Sequence, residues 1–253
     1  MTGVILIDDN RYKFTQNYLT ARGYVFSAVK NPDFIIFPFK EAIDETIYSE
    51  DFFAALNKNT LIFSGIKNEY VADKCDKFGL LYYIMMDDKM VAFKNSIPTS
   101  EGVLSYLIAN RTETIAGSKI LVIGYGICGR DLGKRLKALN ANVFALVRNL
   151  EKELNAYCDG IMPIYLSDLK YPSDFDVIIN TVPMQTLTND IIDNTKGVLL
   201  IDIASAPYGF DIEYAKKMND KSAVLPGLPG KFAIKTAGEI LGEFIEDILS
   251  RRN

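Results

Sequence analysis

The chain has 253 residues, and its 28 Lys and Arg against 32 Asp and Glu leave a formal charge of −4. That balance lacks the basic field a phosphate backbone requires, which excludes nucleic acid as a partner, and 49% hydrophobic with 24% charged residues excludes disorder. There is no histidine, which removes Ser-His and Cys-His nucleophile pairs, the usual zinc sites and a histidine general base.

Cys75, Cys128 and Cys158 match neither a metal-binding spacing nor a disulfide framework, so no metal centre is expected and the thiols are expected to be reduced. Met1-Thr2-Gly3 runs directly into a short apolar segment without a signal-peptide pattern. No apolar run approaches the roughly 18 residues of a membrane span. A cytoplasmic protein with no membrane partner is the expectation.

Residues 1–97 read as an N-terminal α/β domain. A strand over 4–7 and a helix over 11–21 are followed by strands over 24–28, 34–37 and 60–63, a helix over 67–78 and a strand over 81–85. The apolar runs at 34–37 and 60–63 suit parallel strands buried on both faces. Asp8-Asp9 resembles the acidic pair of response-regulator receivers. The third strand runs into Pro38, however, where a receiver needs its phosphoacceptor aspartate, and that identity is rejected. Pro98 predicts the start of a connecting helix in the segment 98–116, periodic over 99–110. A second domain follows over 117–234, with strands at 119–123, 142–146, 177–180, 197–202 and 223–225. A last helix within 235–253 is expected to pack back on the first domain. Alternation of this kind predicts an α/β protein of two doubly wound parallel-sheet domains.

Between the strand at 119–123 and a helix over 130–139 stands Gly124-Tyr125-Gly126-Ile127-Cys128-Gly129, a G-x-G-x-x-G in strand–turn–helix context. Gly124 makes the turn, Gly126 lets backbone N–H groups approach a pyrophosphate, and Gly129 lets the helix pack on the sheet. The helix N-terminus favours the phosphates. The second domain is therefore read as a Rossmann dinucleotide-binding domain, with Tyr125, Ile127 and Cys128 completing the phosphate loop; Cys128 is read there chiefly as a small filler, although its oxidation would disturb binding. Val147 stands where an NAD enzyme presents Asp or Glu to the ribose, and Arg148 follows it. A guanidinium there suits a 2′-phosphate, so NADP is preferred over NAD, the alternative being that Arg148 is solvated surface.

Asn180-Thr181-Val182-Pro183, Asp202-Ile203-Ala204-Ser205 and Leu225-Pro226-Gly227-Leu228-Pro229-Gly230 end successive strands, whose C-terminal ends share one crevice in a doubly wound sheet. Thr181, Val182, Pro183, Ala204, Gly227 and Leu228 are candidates to touch the cofactor, with the polar atoms of Thr181 and Ser205 facing the nicotinamide. Turn chemistry alone would explain any one of these segments. Asn95-Ser96-Ile97-Pro98-Thr99 introduces the connecting helix. Exposed N–H groups there would hold a substrate carboxylate beside Ser96 and Thr99, or these residues would simply cap the helix.

Four segments, spread over about residues 60–253, together resemble the dipicolinate synthase A subunits of spore-forming bacteria. They are Ile62-Phe63-Ser64-Gly65-Ile66, the segment 95–99 with Glu101-Gly102, the glycine fingerprint, and Gly227-Leu228-Pro229-Gly230 followed by Lys235-Thr236-Ala237-Gly238. The tail motif is the most specific of them. The resemblance implies a two-domain architecture similar to hydroxy-acid dehydrogenases and an NADP-dependent oxidation of dihydrodipicolinate, a small dicarboxylate, to dipicolinate by hydride transfer. It also implies that the partner is a flavoprotein-like B subunit, with the mother-cell cytoplasm during sporulation as the setting. In that reading Lys235 and Ser205 are the catalytic candidates. Lys235 clamps a carboxylate or also moves a proton, while Ser96, Thr99 and Ser205 donate hydrogen bonds to substrate. Hydride loss from a dihydropyridine forms an aromatic ring, so no strong base is needed to create an alkoxide. Two alternatives stay open: an NADPH-dependent reductase of an imine or 2-oxo acid, and a non-catalytic NADP-binding subunit of a flavoprotein complex. A homo-oligomer is equally open.

Overall fold

Short apolar runs punctuated by capped helices build two parallel sheets in this chain. The computed structural model describes residues 1–6, 9–39, 43–219 and 221–252; Asp8 of the acidic pair lies outside them. The chain divides into two compact units, one formed by residues 1–95 with 233–253 and the other by 96–232.

In the first unit the order is β1 (Thr2–Ile5), α1 (Asn10–Thr20), β2 (Val25–Phe26), β3 (Phe34–Ile36), α2 (Glu50–Ala54), β4 (Leu61–Ser64), α3 (Glu69–Phe78) and β5 (Leu81–Ile84). The strands lie in the order β2-β1-β3-β4-β5, all parallel. This is the second common doubly wound order. β3 and β4 are buried along their whole length, as central parallel strands must be. Local chemistry sets the helix limits. The Asn68 side chain accepts from the Val71 N–H at the start of α3, and Gly79 closes it with a left-handed φ of 67°.

α4 (Lys89–Asn110) runs unbroken from the first unit into the second and contains Pro98. The connecting helix expected from Pro98 onward is thus the second half of a longer one. Pro98 lacks the N–H that would bond to the Lys94 carbonyl, a loss that normally ends a helix. Here Asn95, Ser96, Pro98 and Ser100 are all buried, and packing overrides the local preference.

The second unit continues with β6 (Lys119–Ile123), α5 (Ile127–Ala138), β7 (Asn142–Leu146), α6 (Leu150–Cys158), β8 (Met162–Ile164), β9 (Val177–Asn180), α7 (Asn189–Ile192), β10 (Leu199–Asp202), α8 (Ile212–Met218), β11 (Ser222–Val224) and α9 (Leu228–Phe232). Its strands are all parallel, in the order β11-β10-β9-β6-β7-β8. Counted from β6, this is the Rossmann order 3-2-1-4-5-6 read from the β8 edge, with its switch point between β6 and β9. β8 carries Pro163 and sits at the sheet edge, where a missing donor costs no ladder bond on the open side.

α10 (Ile234–Ser250) returns the chain to the first unit and packs on α1. The glycine of the tail motif explains how closely. A Cβ on Gly238 would overlap the Arg11 carbonyl oxygen of α1, and the Thr15 hydroxyl donates to the Gly238 carbonyl at 2.8 Å. That part of the K-T-A-G motif is a helix-packing device.

Candidate nucleotide-binding site

β6 ends at Ile123, and the chain turns at Gly124 with φ 87°, a conformation L side chains avoid. A Cβ there would also overlap Val182 Cγ2. Gly126 forms the N-cap of α5, which starts at Ile127, three residues earlier than the sequence suggests. A Cβ on Gly129 would overlap the Gly124 carbonyl oxygen, so this glycine lets the helix sit directly on the turn. At Gly126, by contrast, an added Cβ would meet nothing within 4 Å. The three glycines thus have three jobs: turn, open approach and close packing. The open approach lies at the N-terminus of a twelve-residue helix, where N–H groups and the helix dipole favour an anion.

Side chains around the turn brace it. The Tyr125 ring is buried, and its hydroxyl donates to Asp159 Oδ2 at 3.0 Å. Arg130 donates to both oxygens of the same carboxylate, from Nε at 2.6 Å and Nη2 at 3.1 Å. The Arg130 hydrogen bonds hold the Asp159 carboxyl below its ordinary pKa, against the opposing effect of burial. Tyr125 can therefore offer a cofactor only its backbone, because its ring fills the core. Burial pushes the Cys128 thiol up, and the nearby Asp131 adds to this, leaving the thiol protonated. Ile127 is exposed at the first position of α5.

The Thr181 hydroxyl donates to the Ile123 carbonyl at 2.9 Å. Its proton is thus committed across the β6–β9 switch point and does not face outward as the sequence suggests. Val182 packs over Gly124, and Pro183 is exposed beside it. At the end of β7, Val147 is buried and Arg148 is exposed, with no hydrogen bond or ion pair among the described residues.

The next strand end carries a feature absent from the expectations above. Asp202 is fully buried; its Oδ1 accepts from Ala204 N at 2.8 Å, and its Oδ2 accepts from Gly209 N at 2.7 Å and Asn180 Nδ2 at 3.0 Å. Asn180 also bridges to both the N–H and the carbonyl of Val182. One carboxylate therefore ties the ends of β9 and β10 to the loop that carries Ala204 and Ser205. Burial raises the Asp202 pKa, and its three donors only partly offset the rise. An acid closing a wholly apolar strand, Leu199-Leu200-Ile201-Asp202, was the available signal. Ser205 is exposed on that loop.

Gly227 turns the chain with φ 67°, but the Leu228 side chain is buried in the core. Leu228 and Phe232 pack on Gly102, so two segments of the family resemblance meet in space. Leu228 can reach a cofactor only through its backbone. Ser96 and Thr99 lie in the interior of α4 and not at a helix start, because the helix begins at Lys89. Free N-terminal N–H groups for a carboxylate are therefore not available at that place. Lys235 belongs to the first unit. Its side chain is 70% exposed in the first turn of α10, 3.8 Å from Glu239.

Comparison with known proteins agrees with this geometry. Residues 93–201 match the model of the D-isomer specific 2-hydroxyacid dehydrogenase NAD binding domain. The chain is 32% identical to the dipicolinate synthase A subunit of Bacillus subtilis over 209 residues, covering 82% of this chain and 70% of that one. The chain belongs to the family of dipicolinate synthase A subunits. The crystal structure of the Bacillus subtilis A subunit superposes with a TM-score of 0.90 at 28% identity, covering 99% of this chain and 95% of that chain. The corresponding structure from Bacillus halodurans gives 0.89 at 26% identity, covering 98% and 97%. Two parallel-sheet α/β domains, the second of Rossmann type, are thus shared with this family, and the chain is an NAD(P)-dependent oxidoreductase. The glycine turn, the open space at Gly126 and the exposed Arg148 all fit a nicotinamide dinucleotide.

Proposed function

We propose that this chain oxidises dihydrodipicolinate to dipicolinate with NADP as hydride acceptor. Arg148 carries the cofactor half of the reading. It stands exposed at the end of β7 without a partner among the described residues, beside a buried Val147 where a carboxylate would repel a 2′-phosphate. Family membership supports the substrate half, and so does the complete lack of histidine. The bound nicotinamide supplies the hydride acceptor. The substrate gives up one hydride and one proton and becomes aromatic, so the protein's task is chiefly to orient a dianion and match its charge. Lys235 is assigned as a carboxylate clamp, because its ammonium is exposed and, among the described residues, has only the long Glu239 contact to exchange. Ser205 contributes a hydroxyl from the loop held by Asp202 and Thr99 brings one from α4, whereas Ser96 is fully buried and is left out of the substrate contacts. A flavoprotein-like B subunit is the proposed partner and the mother cell of a sporulating bacterium the proposed setting.

Replacing Arg148 by Ala should raise the NADP dissociation constant about tenfold to a hundredfold, the value of a charge-assisted hydrogen bond, and leave that of NAD within about threefold. Equal losses for the two dinucleotides in a calorimetric titration would remove the NADP preference. The reaction is tested by following NADPH absorbance with purified chain, NADP and freshly generated dihydrodipicolinate, with and without a B subunit. NADPH formation in either case supports the reading, and none in both discards it. In the same assay Lys235→Met should raise the substrate KM about tenfold. Unchanged KM and turnover would end the clamp assignment.

A further inference from the structure

The edge of the second unit's sheet away from the glycine turn carries a second cavity. The N-terminal ends of β9, β10 and β11, the segment after α4 and the last turn of that helix frame a space of about 700 Å³. β6 starts at this edge and ends at the glycine turn, so the two places are roughly 16 Å apart at about 3.3 Å per residue. The charged groups lining the cavity are Arg111, Lys196, Lys221, Glu113 and Asp176.

Three cations against two carboxylates leave the lining with a net charge of +1. Asp176 Oδ2 already accepts from the Lys119 N–H at 2.7 Å. Glu113 is largely exposed and reaches Arg111 Nε only at 3.9 Å. Neither Lys196 nor Lys221 has an ion-pair partner among the described residues. Arg111 is the cation held most firmly. Its side chain is 7% exposed, and its Nη2 donates to Ser118 Oγ at 3.1 Å, which in turn donates to the Thr114 carbonyl at 2.6 Å. Its Nη1 is buried with no acceptor among the described residues. That nitrogen is closed off from solvent, so what Arg111 offers the cavity is a positive charge fixed in its wall through Ser118. A guanidinium in the wall disfavours a metal cation, and five charged groups disfavour an apolar ligand.

We propose that this cavity is a second ligand site, which binds a small oxyanion, phosphate or polycarboxylate, with Arg111 as its fixed base and Lys196 and Lys221 as its outer cations. The site is independent of the nicotinamide cradle, and its ligand needs no adenine or ribose contact.

The full chain is titrated with inorganic phosphate, and separately with malonate, at ionic strength held constant with chloride. Binding is read by calorimetry and by melting temperature, in wild type, in Lys196→Ala/Lys221→Ala and in Arg148→Ala. At about ten times the dissociation constant, the wild type should gain about 3–6 °C. The double variant, altered only at exposed positions, should lose about tenfold in affinity, and Arg148→Ala should bind as wild type does. Arg111→Gln should abolish binding; if it does not fold, the double variant still decides. A response to either anion that disappears in the double variant supports the site, and the responding anion tells phosphate from carboxylate. No binding of either anion, equal binding in the double variant, or loss only in Arg148→Ala would overturn it, the last because the anion would be reading the cofactor cradle.

Discussion

Gly126→Ala should leave the melting temperature within about 2 °C of wild type and weaken nicotinamide dinucleotide binding by about a hundredfold. The backbone tolerates alanine there, since φ is −82° and an added Cβ meets nothing within 4 Å. The methyl would instead occupy the space above the first turn of α5, through which a pyrophosphate must approach. Gly129→Ala makes the contrasting case. Its Cβ would overlap the backbone oxygen of Gly124, which cannot swing aside like a side chain, so α5 must lift from the turn. That variant should lose both affinity and several degrees of melting temperature. Calorimetric titration and thermal unfolding of the two variants separate the effects. Wild-type affinity in Gly126→Ala would move the cofactor away from the glycine turn altogether.

Asp202→Ala should destabilise the chain by about 3 kcal/mol, a fall of roughly 6–12 °C in melting temperature. The change strands three buried donors, the N–H groups of Ala204 and Gly209 and the Asn180 amide. Each stranded donor costs about 1–3 kcal/mol, and relief from burying a carboxylate returns part of the total. A melting temperature within about 2 °C of wild type would show that the loop 203–209 does not depend on this carboxylate. The pH dependence has a definite sign. The folded protein holds the Asp202 proton more tightly than the unfolded chain does, so this group's contribution to stability falls as pH rises from about 3.9 through the raised folded value. Asp159 works in reverse. Its lowered pKa adds stability above about 3.9, and that stability is lost as pH falls through the folded value. Comparing Asp202→Asn and Asp159→Asn with wild type across acid pH should therefore give differences of opposite slope.

Much of the second unit was legible because its central strands are buried on both faces and read as unbroken apolar runs. β6, β7 and β9 coincide with the expected 119–123, 142–146 and 177–180. β8 escaped notice because Pro163 argues against a strand everywhere except at an edge, and edge position belongs to the sheet as a whole. The break expected at Pro98 does not occur, because burial of its neighbours outweighs the lost hydrogen bond. The helix-start chemistry expected of Ser96 and Thr99 fails with it, since both lie in a helix interior.

The sequence by itself determined the spacing of the three glycines, the pairing of Val147 with Arg148 and the lack of histidine. Each of these is a property of residue type and order, and together they specify an anion cradle and limit the chemistry beside it. Only the tertiary structure decided where polar atoms point. Thr181 gave its proton to a strand carbonyl, Tyr125 turned inward to Asp159, and Leu228 went into the core against Gly102. The same holds for the anchor at Asp202, which joins its own following loop to Asn180 on the neighbouring strand, and for Arg111, whose Nη1 is buried with no acceptor among the described residues. Local sequence carries backbone preference and apolar pattern, whereas a buried polar group is settled by which donors and acceptors the finished fold brings within about 3 Å.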